Sequence, residues 1–345
     1  MPDLAMLAGI VVKSSLVISA AGLLSLGLRR QSAAFGHALW TMALALCVSM
    51  PLVMLLLPAH QVITLPRAAA PAATQPFPLI VALWASGSCL LLLRELLATI
   101  GLSRWRRHAS PLTSTRWSAT LARTGYDHRS LRVLESQHIA GPCTWGSMRP
   151  VLLLPTCGEA WPEAARHAAL VHELAHIERR DAVSLLVARL ACTLYWFNPL
   201  VWLAAERIRT LQERACDDAV LRAGATPSDY AQFLLDAAAR TSGMSRFART
   251  AIGMTHGSSL RTRIVAILDP HATRSQPRGF PLIAACTSLF VLTMLLATAS
   301  IAIEPPPLPQ IPSTPQLPEL PKLPELPVPP TPPVSPVPPE RVTPP

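Results

Sequence analysis

The chain has 345 residues, of which 50% are apolar and 14% are charged, and its mean hydropathy is positive. This composition excludes a disordered regulator and a small disulfide scaffold. An ordinary soluble domain also fits poorly, because the apolar residues form runs long enough to cross a bilayer. The net charge of +10 comes from Arg residues spread along the chain rather than from basic and aromatic clusters, so no direct contact with nucleic acid is expected.

Four apolar runs, each close to the roughly 20 residues that cross a bilayer, predict transmembrane helices. We expect Lys13, within the first run, to reach toward the outer interface. The runs are Leu4 to Leu28, Phe35 to Leu57, Pro78 to about Leu97, and Phe280 to Ile303.

The distribution of Arg predicts the orientation of these spans. Arg29 and Arg30 follow the first span, Arg67 alone lies between the second and third, and an Arg cluster follows the third. Because basic loops stay in the cytoplasm, we expect a multi-pass protein of the bacterial inner membrane with a periplasmic N-terminus. The predicted organisation is a three-span membrane region (1–103), a cytoplasmic domain (104–279), a fourth transmembrane helix (280–303) and a Pro-rich periplasmic tail (304–345).

The predicted tail contains 19 prolines among the 41 residues from Pro305 to Pro345. Proline lacks the backbone N–H that helices and sheets require, so the tail favours polyproline II. It is interpreted either as a stiff spacer or as a periplasmic contact that senses an unidentified ligand.

The candidate chemistry lies in the sequence His172-Glu173-Leu174-Ala175-His176, an H-E-x-x-H motif. On a helix, His172 and His176 project from one face and can bind one zinc ion. Glu173 lies one step around the helix, where its carboxylate can take a proton from the attacking water and pass it to the leaving amine. The alternative is that the two histidines are surface residues of a charged helix.

A catalytic zinc site needs a third protein ligand. Glu213 and Asp217 lie four residues apart on the next predicted helix after Asn198-Pro199. Glu213 is the favoured third ligand, with Asp217 placed to accept an N–H from a zinc-bound histidine. Glu206, two turns earlier on the same face, is a competing ligand on chemistry alone.

The sequence resembles the integral-membrane zinc metallopeptidases of the BlaR/MecR type, the antibiotic-sensing signal transducers. The resemblance extends to about residue 270. The segments that carry it are QSAAFGHALW (31–40), GPCTWGSMRPVLLLP (141–155), LVHELAHIERRD (170–181), FNPLVWLAAERIRTLQERACDDAVL (197–221) and SLRTRIVAILD (259–269).

This resemblance implies the ligands His172, His176 and Glu213 in a gluzincin-like zinc endopeptidase, with Glu173 as the base. Asp217 then belongs to a Glu-x-x-x-Asp pattern shared with prenyl-protein-type membrane peptidases, and Glu206 is disfavoured. The antibiotic sensors carry an extracellular penicillin-binding domain with a nucleophilic serine, which we do not find in this sequence. We therefore expect no acylation by a β-lactam, and the stimulus stays open.

The expected fold is an α-helical membrane protein with four transmembrane helices and an α+β, zincin-like cytoplasmic domain between the third and fourth. Alternation and turn residues predict short strands between Leu131 and Pro155. One of these strands, formed by Val151, Leu152, Leu153 and Leu154, is a candidate for binding substrate by strand addition, with a plain core strand as the alternative. Arg189 and Asn198-Pro199 argue against a fifth span at Leu185 to Leu203, so this segment is predicted to form a buried or membrane-lying helical hairpin.

The resemblance implies limited proteolysis of the chain itself or of a cytoplasmic winged-helix repressor, triggered by an extracytoplasmic signal. The expected partners are a peptide or protein substrate and membrane lipid, and a homo-oligomer is left open. The alternatives are a non-proteolytic membrane transducer or scaffold, and a housekeeping membrane protease.

Overall fold

The computed structural model describes residues 4–56, 60–65, 77–107, 109–127, 131–146, 148–241, 257–275 and 279–303. Two features used in the sequence analysis lie outside these residues. They are Arg67, which contributed to the predicted orientation, and the tail 304–345, which was predicted to favour polyproline II. The described helices are α1 (Leu4–Gly27), α2 (Ala33–Leu56), α3 (Phe77–Arg107), α4 (Thr115–Arg123), α5 (Glu163–Glu178), α6 (Asp181–Leu194), α7 (Pro199–Arg222), α8 (Pro227–Thr241), α9 (Gly257–Leu268) and α10 (Gly279–Thr298). The described strands are β1 (His60–Leu65), β2 (Ser110–Pro111), β3 (Arg132–Ser136), β4 (Cys143–Trp145), β5 (Val151–Pro155) and β6 (Ala299–Ile303).

Four described helices, α1, α2, α3 and α10, are long and apolar enough to cross a membrane, as predicted. Two boundaries differ from the prediction. Helix α3 continues about ten residues beyond Leu97 to Arg107, since charged side chains end an apolar run without ending a helix. The fourth helix ends at Thr298 instead of Ile303, because the residues that follow it pair as a strand.

The ends of the second and fourth spans meet in a small parallel sheet. Strand β1, which follows α2, pairs with β6, which follows α10. The Lys13 ammonium of α1 donates to the carbonyl oxygen of Ala299 over 2.6 Å. The N-terminal half of α1 therefore lies on the same side as the C-terminal ends of α2 and α10, which agrees with the alternating direction of the predicted spans.

The second sheet has the strand order β2-β3-β5-β4. Strand β5 is parallel to β3 on one side and antiparallel to β4 on the other, and all five of its residues are buried. Strand addition requires an unpaired edge. The prediction that Val151, Leu152, Leu153 and Leu154 hold a substrate is therefore corrected: these residues form a core strand, and β4 lies at the edge of the described sheet.

Helices α6 and α7 form a hairpin that packs among the spans, as the sequence predicts for this region. The turn between them begins at Tyr195, whose hydroxyl donates to the carbonyl of Cys47 in the middle of α2. Asn198 caps α7 and also donates to Ser15 of α1. Gly87 of α3 contacts the same turn so closely that a Cβ atom would lie 2.5 Å from the Trp196 ring. The hairpin tip is therefore fixed to three of the four spans.

Candidate metal centre

Helix α5 carries the H-E-x-x-H motif in its last two turns. One face of the helix buries Leu170 and Leu174 against Trp117 and the core of the larger sheet. His172 and His176 project from another face, and their ring centroids are 4.9 Å apart. The apolar residues of the helix thus fix the direction in which the two imidazoles point.

Helix α7 places Glu213 opposite the two histidines. The carboxylate oxygens of Glu213 lie 3.6 Å from Nε2 of His172 and 3.7 Å from Nε2 of His176. Glu206, the competing ligand in the sequence analysis, is about half exposed and pairs with Arg209 on the surface of the same helix. The geometry therefore brings Glu213, and not Glu206, to the histidine pair.

The three side chains have the arrangement that a metal ion requires. Their ligand atoms lie within 4.8 Å of one another. A tetrahedral zinc ion with bonds of about 2.0–2.2 Å holds its ligand atoms roughly 3.4 Å apart, close to the distances between Glu213 and the two histidines. Two imidazoles and a carboxylate are also the donor set of known catalytic zinc sites. These residues therefore fit a zinc ion.

The orientation of His172 depends on Asp217 and on Tyr230 of α8. The Tyr230 hydroxyl donates to Asp217 Oδ1 over 2.8 Å and lies 3.1 Å from Nδ1 of His172. Since the hydroxyl proton is directed at Asp217, the hydroxyl oxygen accepts from Nδ1–H of His172, which leaves Nε2 free to bind a metal. Asp217 was predicted in this position, whereas Tyr230 was missed because it comes from a separate helix.

His176 has its own carboxylate partner. Its Nδ1 lies 2.9 Å from Oδ2 of Asp181, the first residue of α6. Arg180 adopts the left-handed conformation with φ 55° immediately before Asp181, which turns the chain sharply from α5 into α6. Sequence reasoning assigned no role to Asp181, because its position next to His176 depends on this turn.

Arg263 of α9 neutralises the acidic side of the site. It donates to both oxygens of Asp217 and lies 2.9 Å from Oε2 of Glu213. Although burial opposes ionisation, Arg263 and the histidines lower the pKa of Glu213 to about 2. Burial likewise opposes protonation of His172, but the Asp217 and Glu213 carboxylates raise its pKa to about 10. Without a metal, His172 therefore holds a proton that metal binding must displace.

We expect Arg263→Gln to destabilise the metal-free protein more than the zinc-loaded protein. The variant leaves Glu213 and Asp217 without their counter-ion, and removing one partner of a buried ion pair costs about 3–5 kcal/mol of unfolding free energy. Bound zinc would add positive charge beside these carboxylates, so it should reduce the loss of unfolding free energy. Thermal unfolding of the purified full-length protein, with and without zinc, measures both values.

The matched control is Arg261→Gln, on an exposed position of the same helix. It should unfold like the wild type in both conditions. If Arg263→Gln lost the same amount of stability with and without zinc, the arginine would not be balancing the charge of these carboxylates.

Glu173 lies next to edge strand β4. The Thr144 hydroxyl of this strand donates to Oε2 of Glu173 over 3.0 Å. Burial raises the pKa of Glu173, while the two histidines and the Thr144 hydrogen bond oppose that rise. A carboxylate with a raised pKa is suited to accept a proton near neutral pH.

The site combines two histidines on one helix with a facing glutamate and an adjacent carboxylate. This combination is typical of metallopeptidase centres. The family model described as BlaR1 peptidase M56 matches residues 66–267. This match covers more than half of the chain, which therefore belongs to the BlaR1 peptidase M56 family of membrane metallopeptidases.

The chain is also similar to the regulatory protein BlaR1 of Bacillus licheniformis. The two are 28% identical over 145 residues, which make up 41% of this chain and 24% of the relative. The matched region thus spans about a quarter of that relative's length.

Proposed function

We propose that the protein is a zinc-dependent endopeptidase in which His172, His176 and Glu213 hold the metal and Glu173 is the general base. The observation that carries the proposal is the convergence of the three ligand atoms within 4.8 Å, with Glu173 on the same helix. Zinc, when bound, supplies a Lewis acid that activates water and polarises the scissile carbonyl. Glu173 accepts the proton of the attacking water and transfers it to the leaving amine.

We assign substrate binding to β4 in place of β5, which the sequence offered as a candidate. Strand β4 is the edge strand of the described sheet, and its central residue Thr144 contacts the base directly. A peptide that extends the sheet beside Cys143–Trp145 would have its backbone held by main-chain hydrogen bonds. This arrangement brings an extended peptide next to Glu173.

We expect Thr144→Val to move the acid limb of peptidase activity to higher pH by roughly one unit, because a hydrogen bond to a charged group contributes about 1.5–3 kcal/mol. Losing this bond raises the pKa of Glu173 further, so less of the ionised base is present at low pH. The pH profile of kcat/KM measures the shift. Thr124→Val, which removes a hydroxyl hydrogen bond at the end of α4, is the control and should keep the wild-type profile. An unshifted acid limb in Thr144→Val would contradict the assignment of Glu173 as the titrating base.

The biological role we propose is that of a signal transducer in the bacterial inner membrane. The catalytic domain faces the cytoplasm, the N-terminus and the tail are periplasmic, and the substrate is the chain itself or a cytoplasmic repressor of the winged-helix type. The Arg distribution supports this orientation. The similarity to a regulatory protein supports the signalling role.

The test is to purify the full-length protein in detergent and measure its zinc content together with the cleavage of itself and of an unfolded protein substrate. We expect one equivalent of zinc and fragments that disappear when a chelator removes the metal. Zinc without any cleavage, even after the unfolded substrate is added, would favour a non-proteolytic transducer. Absence of bound zinc would refute the metallopeptidase assignment for this site.

A further inference from the structure

A histidine of the second span lies beside the metal centre. His37 is located about one turn into α2 and is only 7% exposed. Its Nε2 lies 3.0 Å from the Ser184 hydroxyl oxygen and 3.7 Å from Oδ1 of Asp181. Ser184 donates its own proton to the Asp181 carbonyl, so its oxygen is left to accept. Nε2 of His37 therefore carries the proton that is directed at Ser184 and Asp181.

Asp181 connects this histidine to a predicted zinc ligand. The aspartate is 2% exposed, and its Oδ2 accepts from Nδ1–H of His176. Arg179 and the Cys216 thiol also donate to the carboxylate. With Oδ2 directed at His176, Oδ1 faces His37 across the boundary between the peptidase helices and the membrane span. The orientation of this one carboxylate thus depends on residues from both sides of that boundary.

Near His37, the second span α2 is in close contact with α7, the helix that carries Glu213. A Cβ atom at Gly36 would lie 3.1 Å from the Leu211 side chain, two residues before Glu213 on α7. Leu211 also packs in a small cluster with Ala33 of α2 and Ala215 of α7. Only a residue without a side chain fits at position 36 unless Leu211 moves. Helix α2 is therefore packed directly against the helix that carries the third ligand.

We propose that His37 is a positioning residue for the metal centre. Acting through Asp181 and Ser184, it holds the His176 ring so that Nε2 points at the metal position. The metal site is then completed by a transmembrane helix, and a displacement of α2 changes the affinity for zinc. This inference rests on the metal site proposed above and adds a route by which the membrane region controls it.

The test measures the affinity of the full-length protein for Zn²⁺ by competition with a chelator, and the visible spectrum of the Co²⁺-substituted protein. In His37→Ala we expect the dissociation constant for zinc to rise roughly 10-fold, the lower end of the range for residues that orient metal ligands, and the cobalt bands to shift. His37→Gln keeps an N–H donor at a similar reach and should restore most of the affinity.

The matched control is Thr41→Val, one turn further along α2. Thr41 donates its hydroxyl to the backbone carbonyl of His37, so this variant leaves the His37 imidazole and Asp181 in place and should bind zinc like the wild type. Ser184→Ala, on the α6 side, should weaken zinc binding as His37→Ala does. Thermal unfolding of every variant shows whether the fold is kept.

Wild-type affinity and an unchanged cobalt spectrum in His37→Ala would overturn the proposal, while zinc binding by the wild type would still support the metal site itself. Equal weakening in His37→Ala, His37→Gln and Thr41→Val would also overturn it, because the loss would then come from general damage to α2. A wild-type protein that binds neither metal would refute the metal site, and this inference with it.

Discussion

Replacing Glu173 by glutamine is expected to lower kcat for peptide hydrolysis by about 100- to 10,000-fold, the usual contribution of a general base. The amide has nearly the shape of the carboxylate and can still contact Thr144, but it cannot accept the proton of the attacking water. Because Glu173 is not among the three residues that converge on the metal position, the zinc content should stay that of the wild type. Initial rates on an unfolded protein substrate and metal analysis of the same sample measure both quantities.

The control for this variant is Glu178→Gln, an exposed glutamate at the end of the same helix. It should retain wild-type activity. Substantial hydrolysis by Glu173→Gln would mean that another group takes the proton, and loss of zinc from this variant would mean that Glu173 is a ligand instead of the base.

Replacing Glu213 by alanine is expected to abolish stoichiometric zinc binding and, with it, peptidase activity. Of the three proposed ligands, the two histidines of α5 would remain, and catalytic zinc sites have three protein ligands. Mutating residues that merely orient a ligand costs about 10–100-fold in metal affinity, so the loss of a ligand should exceed that range. The variant also leaves Arg263 with Asp217 alone, since Arg263 now contacts both carboxylates.

Glu206→Ala is the matched control, because it removes the other glutamate that the sequence offers as a third ligand. This side chain is about half exposed and pairs with Arg209, so the variant should bind one zinc ion and remain active. Zinc binding that survives in Glu213→Ala and fails in Glu206→Ala would reverse the assignment.

The residues at the centre of the site could be predicted from sequence because their spacing is local. His172 and His176 are neighbours on any helix, and Glu213 and Asp217 are neighbours on the next helix of the site. The partners that complete the site are not local. Residues Tyr230, Arg263 and His37 come from three other helices, and no periodicity places them beside α5 or α7.

The sheet illustrates a different limit. A run such as Val151 to Leu154 predicts a buried strand, but its composition does not say which strands flank it. The edge position belongs to the three-residue strand β4, which is too short to produce a recognisable alternation. The same limit explains why β6 was predicted as part of the fourth span. Its apolar residues continue the pattern of that helix, but they pair with β1.

The position of the α6–α7 hairpin has a consequence for biosynthesis. Helix α2 leaves the ribosome long before the hairpin that packs against it, and Arg263 follows later still. At about 5–20 residues per second, synthesis of the intervening chain takes roughly 6–30 s. During this interval the face of α2 that includes His37 lacks the hairpin that packs against it in the finished fold. The metal centre can therefore be completed only after three of the four predicted spans and Arg263 have been synthesised.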